Sequence, residues 1–122
     1  MGDDTGSLRE HPVREVVHLD GAVIVRLSGE LDLYNAEVVR DALTDATGRE
    51  PERVVVDLGE VSFLDSTTLG VLIEARGTLS NRRSFLLAAP GLEARRVLEV
   101  SGLDRHFALH ETVDGALAAK LA

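Results

Sequence analysis

The sequence predicts a single α/β domain in which an N-terminal β-hairpin leads into alternating strands and helices. Two strand-like runs, 13–19 and 22–28, flank Asp20-Gly21, a dipeptide that favours the positive φ angles of a two-residue turn. Beyond them, segments with the apolar period of helices alternate with short apolar runs typical of buried strands. This alternation after a hairpin predicts a mostly parallel sheet with right-handed crossovers.

The first four predicted elements follow from changes in apolar period. In the second strand Val23, Val25 and Leu27 alternate with Arg26 and Ser28, which indicates a strand with one buried face. A helix is predicted over 35–47, where apolar residues recur at helical spacing. The unbroken apolar run at 53–58 predicts a central strand that is covered on both faces.

The second half of the chain continues the alternation, which gives the order β-β-α-β-α-β-α-β-α. The remaining predicted elements are a helix over 66–80, a strand over 85–89, a helix closed by Ser101-Gly102, a short strand over 106–109 and a C-terminal helix capped by Thr112. In the helix over 66–80 the residues expected to point inward are Leu69, Leu72, Ile73 and Leu79.

Composition restricts the class of protein. The chain of 122 residues is long enough for one core; residues 1–12 are polar and predict a flexible tail, and residues 13–122 predict the folded domain. Its 13 Lys and Arg against 21 Asp and Glu give a net charge of −8, which argues against nucleic-acid or membrane-surface partners. There is no cysteine, no signal peptide and no apolar run long enough to span a bilayer. We therefore expect a cytoplasmic protein without direct membrane insertion.

The chemically informative residues lie in the loops predicted after the strands, at 29–32, 59–65 and 89–91, where parallel sheets bind ligands and partners. Asp65 and the hydroxyls of Ser66, Thr67 and Thr68 come where the second helix begins. Asp65 or Ser66 is expected to cap that helix, and an exposed Ser66 would also be open to modification; the two interpretations are compatible. Asp32 has two interpretations as well: it caps the helix that starts near residue 34, or it acts together with Ser66.

Three segments, in this order and spacing, resemble the STAS domains, a family named for sulphate transporters and anti-sigma-factor antagonists. They are Gly29-Glu30-Leu31-Asp32, the stretch from Val55 to Thr67, and Ser101-Gly102-Leu103. The resemblance extends over about residues 13–121. It implies a sheet that is faced by helices mainly on one side.

The resemblance also implies a function without catalysis. Free-standing bacterial members bind an anti-sigma factor, which is itself a serine kinase, and so release a sigma factor. The kinase phosphorylates a serine that corresponds to Ser66, with Thr67 the less favoured acceptor, and a serine phosphatase reverses the modification. The expected partner-binding residues are Glu30, Asp32, Asp65, Ser66, Thr67 and Thr68. No cofactor is implied.

One departure from the family pattern leaves alternatives open. The family usually has glycine two places after the phosphorylated serine, where this chain has Thr68. That residue favours a second hypothesis, a STAS scaffold or transporter-associated subunit that binds a protein complex or small ligand and is never phosphorylated. A third hypothesis is nucleotide binding near Asp32 and Ser66, although no phosphate-binding glycine motif is present. A receiver domain is excluded because the single lysine, Lys120, lies in the last helix.

Overall fold

Five strands form one sheet in the order β1-β2-β3-β4-β5. The computed structural model describes residues 11–121. β1 is antiparallel to β2, and the other neighbouring pairs are parallel. The element order and the mostly parallel sheet confirm the predicted fold class. The elements are β1 (Val13–Leu19), β2 (Ala22–Leu31), α1 (Ala36–Gly48), β3 (Arg53–Leu64), α2 (Ser66–Gly77), β4 (Phe85–Ala88), α3 (Leu92–Ser101), β5 (Ala108–His110) and α4 (Val113–Ala118).

Helices α1, α2 and α3 cover one face of the sheet, and α4 packs on the other. This arrangement confirms that the helices lie mainly on one side. On the second face Ile24, Val55 and Leu86 contribute to an apolar cluster with Ala116 of α4. The prediction of a single buried face for β2 is therefore wrong at Ile24, which is only 6% exposed. The strand residues in the larger cluster are Val23, Val25, Leu27, Leu31, Val54, Val56, Leu58, Val61, Leu64, Phe85 and Leu87.

The N-terminal hairpin is closed as the sequence predicts. Gly21 has a φ of 79°, a conformation that glycine adopts at little cost, and the turn joins the paired residues Leu19 and Ala22. Just before the hairpin, the carbonyl oxygens of His11 and Pro12 accept hydrogen bonds from Ser28, at 2.8 Å from Oγ and 2.9 Å from the amide. The rest of the predicted tail, residues 1–10, lies outside the described residues.

The two strands that lead to the predicted site are longer than predicted. β2 continues past Ser28 to Leu31, and β3 continues past Leu58 to Leu64. Both segments contain glycine and were predicted as loops, but in the structure they are strands with irregular pairing. The register shifts between Arg26 and Ser28 and again just after Gly29, whose φ is 77°. A glycine inside a strand is typical of such bulges. The predicted loop residues 29–31 and 59–64 therefore belong to strands.

Smaller differences concern the second half of the chain. α2 ends at Gly77 instead of residue 80, and Ile73, predicted to point inward, is 47% exposed. The last strand begins at Ala108 instead of residue 106, because residues 103–105 form a 3-10 turn. The cap of α4 is confirmed, since Thr112 Oγ1 accepts a hydrogen bond from the amide of Gly115 at 2.9 Å.

Candidate functional site

The extended ends of β2 and β3 bring two predicted site segments together. Leu31 and Leu64 are register partners in the parallel pair, so the residues that follow them, Asp32 and Asp65, leave the sheet at the same edge. The amide of Asp65 donates a hydrogen bond to the carbonyl oxygen of Leu31 at 3.1 Å. This backbone contact fixes the start of α2 against the loop that carries Asp32.

Asp65 is the N-cap of α2. Its backbone is extended, with φ −107° and ψ −178°, and its Oδ1 accepts a hydrogen bond from the amide of Thr68 at 3.1 Å. The hydroxyl of Thr68 donates to the same oxygen in a longer contact of 3.4 Å. Of the two capping residues considered from the sequence, Asp65 therefore has this role, and Ser66 is the first residue of the helix.

The three hydroxyl residues at the start of α2 differ in exposure. Ser66 and Thr67 are exposed, whereas Thr68 is completely buried. The first amides of a helix have no partner within it and carry partial positive charge, so Ser66 lies where an added anion is tolerated. Thr68, expected among the partner-binding residues, lies below the surface and contributes to the site through Asp65.

The loop after β2 is held by its own polar groups. Asp32 Oδ1 accepts a hydrogen bond from the amide of Tyr34 at 3.0 Å, and Asn35 Oδ1 accepts one from the amide of Asp32 at 2.9 Å. The side-chain nitrogen of Asn35 donates to the carbonyl oxygen of Glu30 at 2.8 Å. The N-cap of α1 is Asn35, so the interpretation of Asp32 as the cap of that helix is wrong. Asp32 instead shapes the turn that leads into α1.

The site is acidic. Residues 27–39 and 54–75 contain no lysine, arginine or histidine, yet they carry Glu30, Asp32 and Asp65. Arginines from outside these segments form ion pairs with acids of the same segments: Arg14 with Glu60, Arg26 with Asp57, and Arg40 with Glu37 and Glu74. The negative charge of the two segments is therefore partly neutralised by neighbouring elements.

Sequence reasoning missed the apolar residues of this surface. Leu33 is 61% exposed and Tyr34 is 82% exposed, both in the loop directly after Asp32. Phe63, the register partner of Glu30 in β3, is 44% exposed. The available signal was an adjacent Leu-Tyr pair between Asp32 and Asn35, where a solvent-exposed loop favours polar residues.

The described residues were also searched for cavities, metal-binding groups and membrane-spanning helices. A cavity of about 470 Å³ opens between the C-terminal ends of α1 and α2, and it is lined by Thr47, Glu50 and Asn81 among others but by none of the predicted site residues. Within residues 11–121, no three histidine or acidic side chains are grouped so that they could hold a metal ion. No helix in that range has both the length and the apolar character needed to span a membrane.

Comparisons with known proteins match this fold. The sequence model of the STAS domain matches residues 14–116. An anti-sigma F factor antagonist of Paenibacillus polymyxa is 34% identical over 106 residues, covering 84% of this chain and 90% of the relative. An anti-sigma-B factor antagonist of Listeria monocytogenes is 38% identical over 92 residues, covering 74% of this chain and 76% of the relative. The crystal structure of an anti-sigma factor antagonist from Mycobacterium paratuberculosis superposes with a TM-score of 0.79 at 34% identity, covering 84% of this chain and 88% of that one.

Proposed function

Because this chain belongs to the STAS domain family, we propose that it is an anti-sigma-factor antagonist that acts in the cytoplasm and is switched by phosphorylation of Ser66. The unphosphorylated form binds an anti-sigma factor with serine kinase activity and so releases a sigma factor. One observation carries the proposal: the exposed Ser66 is the first residue of α2, directly after the capping residue Asp65. The names of its relatives supply the class of partner.

The proposed switch transfers one phosphoryl group. The kinase moves the terminal phosphoryl group of ATP to Ser66 Oγ, so that a new P–O bond forms, ADP leaves and the hydroxyl proton is released. A serine phosphatase hydrolyses the ester and restores the hydroxyl. Thr67, also exposed, is the less favoured acceptor.

The domain itself is expected to tolerate the phosphate. The group adds about −1.5 to −2 charges at neutral pH. The partial positive charge at the start of α2 offsets part of this, and the Asp65 cap is made by a neighbouring side chain that the reaction does not alter. Phosphorylation therefore leaves the fold in place.

The interface with the anti-sigma factor is expected not to tolerate the phosphate. Asp65 adjoins Ser66 in sequence, and Asp32 follows Leu31, which is hydrogen bonded to Asp65. Binding would desolvate the new charge beside these acids of the same chain. A charge that loses its water without gaining a compensating partner costs several kcal/mol. We expect phosphorylation to weaken binding about a hundredfold, which corresponds to ~2.7 kcal/mol.

The test uses the anti-sigma factors encoded in the genome that carries this chain, each purified and mixed with it. We expect at least one to bind the unmodified chain and, with ATP, to add one phosphate that intact mass detects in wild type and not in Ser66→Ala. That factor should bind Ser66→Ala as tightly as wild type and Ser66→Asp much more weakly. Equal affinity for all three proteins would contradict the switch.

The same assay distinguishes the proposed switch from the second hypothesis. A STAS scaffold or transporter-associated subunit would take up no phosphate from any of these kinases. Thr68 was the sequence feature that favoured this hypothesis. In the structure its hydroxyl supports the Asp65 cap and its side chain is buried, so its presence does not obstruct access to Ser66.

A further inference from the structure

We infer that Ser66, Gly70 and Ile73 form a docking face on α2, and that the anti-sigma factor binds there through an uncharged segment. That segment packs closely against Gly70 and places an apolar side chain in a cavity beside Ile73. The inference rests on the proposed function for the identity of the partner, since a kinase that modifies Ser66 approaches this helix. It adds which residues of this chain bind and what the partner presents to them.

Gly70 is the first argument, because the fold itself does not require a glycine there. The residue is exposed in the interior of α2. Within residues 11–121, a Cβ atom added at Gly70 would have no atom within 4 Å apart from its chain neighbours and the adjacent helix backbone. Glycine inside a helix is less stable than alanine, because its backbone loses more conformational freedom on folding. A glycine at such a place is explained if another molecule approaches the helix closely.

The alignment of the three residues is the second argument. Positions i, i+4 and i+7 of a helix share one face, so Ser66, Gly70 and Ile73 point to the same side of α2. With a rise of 1.5 Å per residue, Gly70 lies about 6 Å and Ile73 about 10 Å along the helix from Ser66. Both distances are well within one protein interface. A partner that lies along α2 at Ser66 therefore contacts all three residues.

A mainly apolar cavity adjoins Ile73. It has a volume of about 200 Å³ and is lined by Ile73, Arg76, Leu103, His106 and Phe107. Phe107 is only 5% exposed, and the guanidinium carbon of Arg76 lies 5.9 Å from the centre of its ring, so this wall of the cavity is held in place. Ile73 is 47% exposed, although its burial would be favourable. An apolar side chain of the partner that enters the cavity also covers Ile73.

The absence of charge on the docking face agrees with the proposed switch. Ser66, Gly70 and Ile73 are uncharged, and Glu74 beside them is paired with Arg40 at 3.2 Å. A closely packed contact of this kind excludes water. A phosphate on Ser66 would then lose its hydration without gaining a cationic partner, which is unfavourable. The face that binds the partner in the hydroxyl form therefore opposes binding in the phosphorylated form.

The first experiment measures binding of the anti-sigma factor identified under the proposed function, together with urea unfolding of each variant. Gly70→Ala should raise the folding equilibrium constant about fivefold. It should nevertheless weaken binding at least about tenfold, because the added methyl group prevents close packing. Gly48→Ala is the matched control. Gly48 is also an exposed helix glycine with open space around it, but it lies at the C-terminal end of α1, and its replacement should leave binding unchanged.

The second experiment tests the cavity in the same binding assay. Ile73→Ala should weaken binding about tenfold, because the partner side chain loses its apolar contact. Leu19→Ala is the matched control, since Leu19 is exposed to a similar extent, 46%, but ends β1 at the hairpin turn. This turn precedes β2, whereas Ser66 lies beyond the far end of that strand. Leu19→Ala should therefore bind like wild type.

The outcomes distinguish this inference from the proposed function. If no anti-sigma factor binds wild type, the proposed function is wrong and the inference falls with it. If Gly70→Ala binds as tightly as wild type, the close contact is wrong, and if Ile73→Ala does, the occupied cavity is wrong; in both cases the proposed function stands. Weaker binding by Gly48→Ala would show an effect of helix stability and would overturn the contact at Gly70. Sedimentation should show a monomer, and a dimer that Gly70→Ala dissociates would assign the docking face to self-association instead.

Discussion

Asp57 Oδ1 accepts a hydrogen bond from the backbone amide of Gly59 at 2.9 Å, within the same strand. The other carboxylate oxygen of Asp57 accepts one from Arg26 Nε at 3.1 Å. The register between β2 and β3 shifts at this position, between Arg26 and Ser28. A single side chain thus supports the bulge beyond which β3 continues to the candidate site.

Replacement of Asp57 should destabilise the domain. Asp57 is 8% exposed, so Asp57→Ala removes the side-chain acceptor of the Gly59 amide in a mostly buried place. It also removes one of the two acidic partners of Arg26, which keeps only its 3.0 Å contact with Glu15. We expect the free energy of unfolding in urea to fall by about 2 kcal/mol. Glu60→Ala is the control, because it breaks the exposed pair with Arg14 and should cost less than about 0.5 kcal/mol. Equal losses in the two variants would contradict the role of Asp57.

Loss of the helix cap should be measurable separately from loss of charge. Asp65→Ala removes the acceptor of the Thr68 amide and should lower the free energy of unfolding by about 1 kcal/mol. Asp65→Asn keeps a side-chain oxygen at the same place and should remain close to wild type. Urea unfolding of both variants tests this, and an asparagine variant as unstable as the alanine variant would show that charge, not capping, matters.

The buried Thr68 should contribute both a hydrogen bond and packing. Thr68→Val keeps the volume but loses the hydroxyl contact with Asp65, at an expected cost of about 1 kcal/mol. Thr68→Gly also removes the packing of a buried methyl group and places in the helix a residue whose backbone loses more conformational entropy on folding. We therefore expect the free energy of unfolding to fall by about 2 kcal/mol. Thermal or urea unfolding of the two variants and wild type ranks their stabilities. If Thr68→Gly were as stable as wild type, the threonine would have no structural role here.

Asp32 should influence modification of Ser66. Asp32→Ala removes a carboxylate from the loop tied to the start of α2, and we expect the phosphorylation rate to fall about tenfold, a change of ~1.4 kcal/mol in the barrier. Asp32→Asn keeps the acceptor for the Tyr34 amide and tests charge alone. Asp41→Ala, on the exposed side of α1, is the control with the same charge change. An unchanged rate in Asp32→Ala would leave Asp32 only its role in the turn.

Much of the fold was predictable because the spacing of apolar residues and the residue types at turns and caps indicate the same strands and helices. The hairpin at Gly21, the helix period around Val39 and Leu43, and the cap at Thr112 each contain a local signal that the structure confirms. The ends of β2 and β3 could not be predicted in this way. Glycine marks a bulge as readily as a loop, and only the pairing partner distinguishes the two.

The candidate site was predictable in part for a similar reason. A hydroxyl beside an acid at a helix start is a local pattern, so the start of α2 at Asp65 and Ser66 was predicted from the sequence, and the structure confirms Asp65 as its cap. The burial of Thr68 and the exposure of Tyr34 depend on how the helix and the loop pack, which is long-range information. One of the two interpretations of Asp32, as the N-cap of α1, was wrong, because Asp32 and Asn35 are both suitable capping residues and lie only three positions apart.

β3 is paired over unequal lengths on its two sides, and from this we expect local opening at the end of the strand that leads to α2. The pairing of β3 with β4 ends at Asp57 and Ala88, whereas the pairing with β2 runs on to Leu64. Beyond Asp57 the backbone of β3 is therefore held in the sheet from one side only. Such a ribbon is able to open without unfolding the remaining sheet, so its amides should exchange with deuterium before those of residues 54–56. The proposed kinase would then act on a segment that opens locally while the rest of the sheet stays folded.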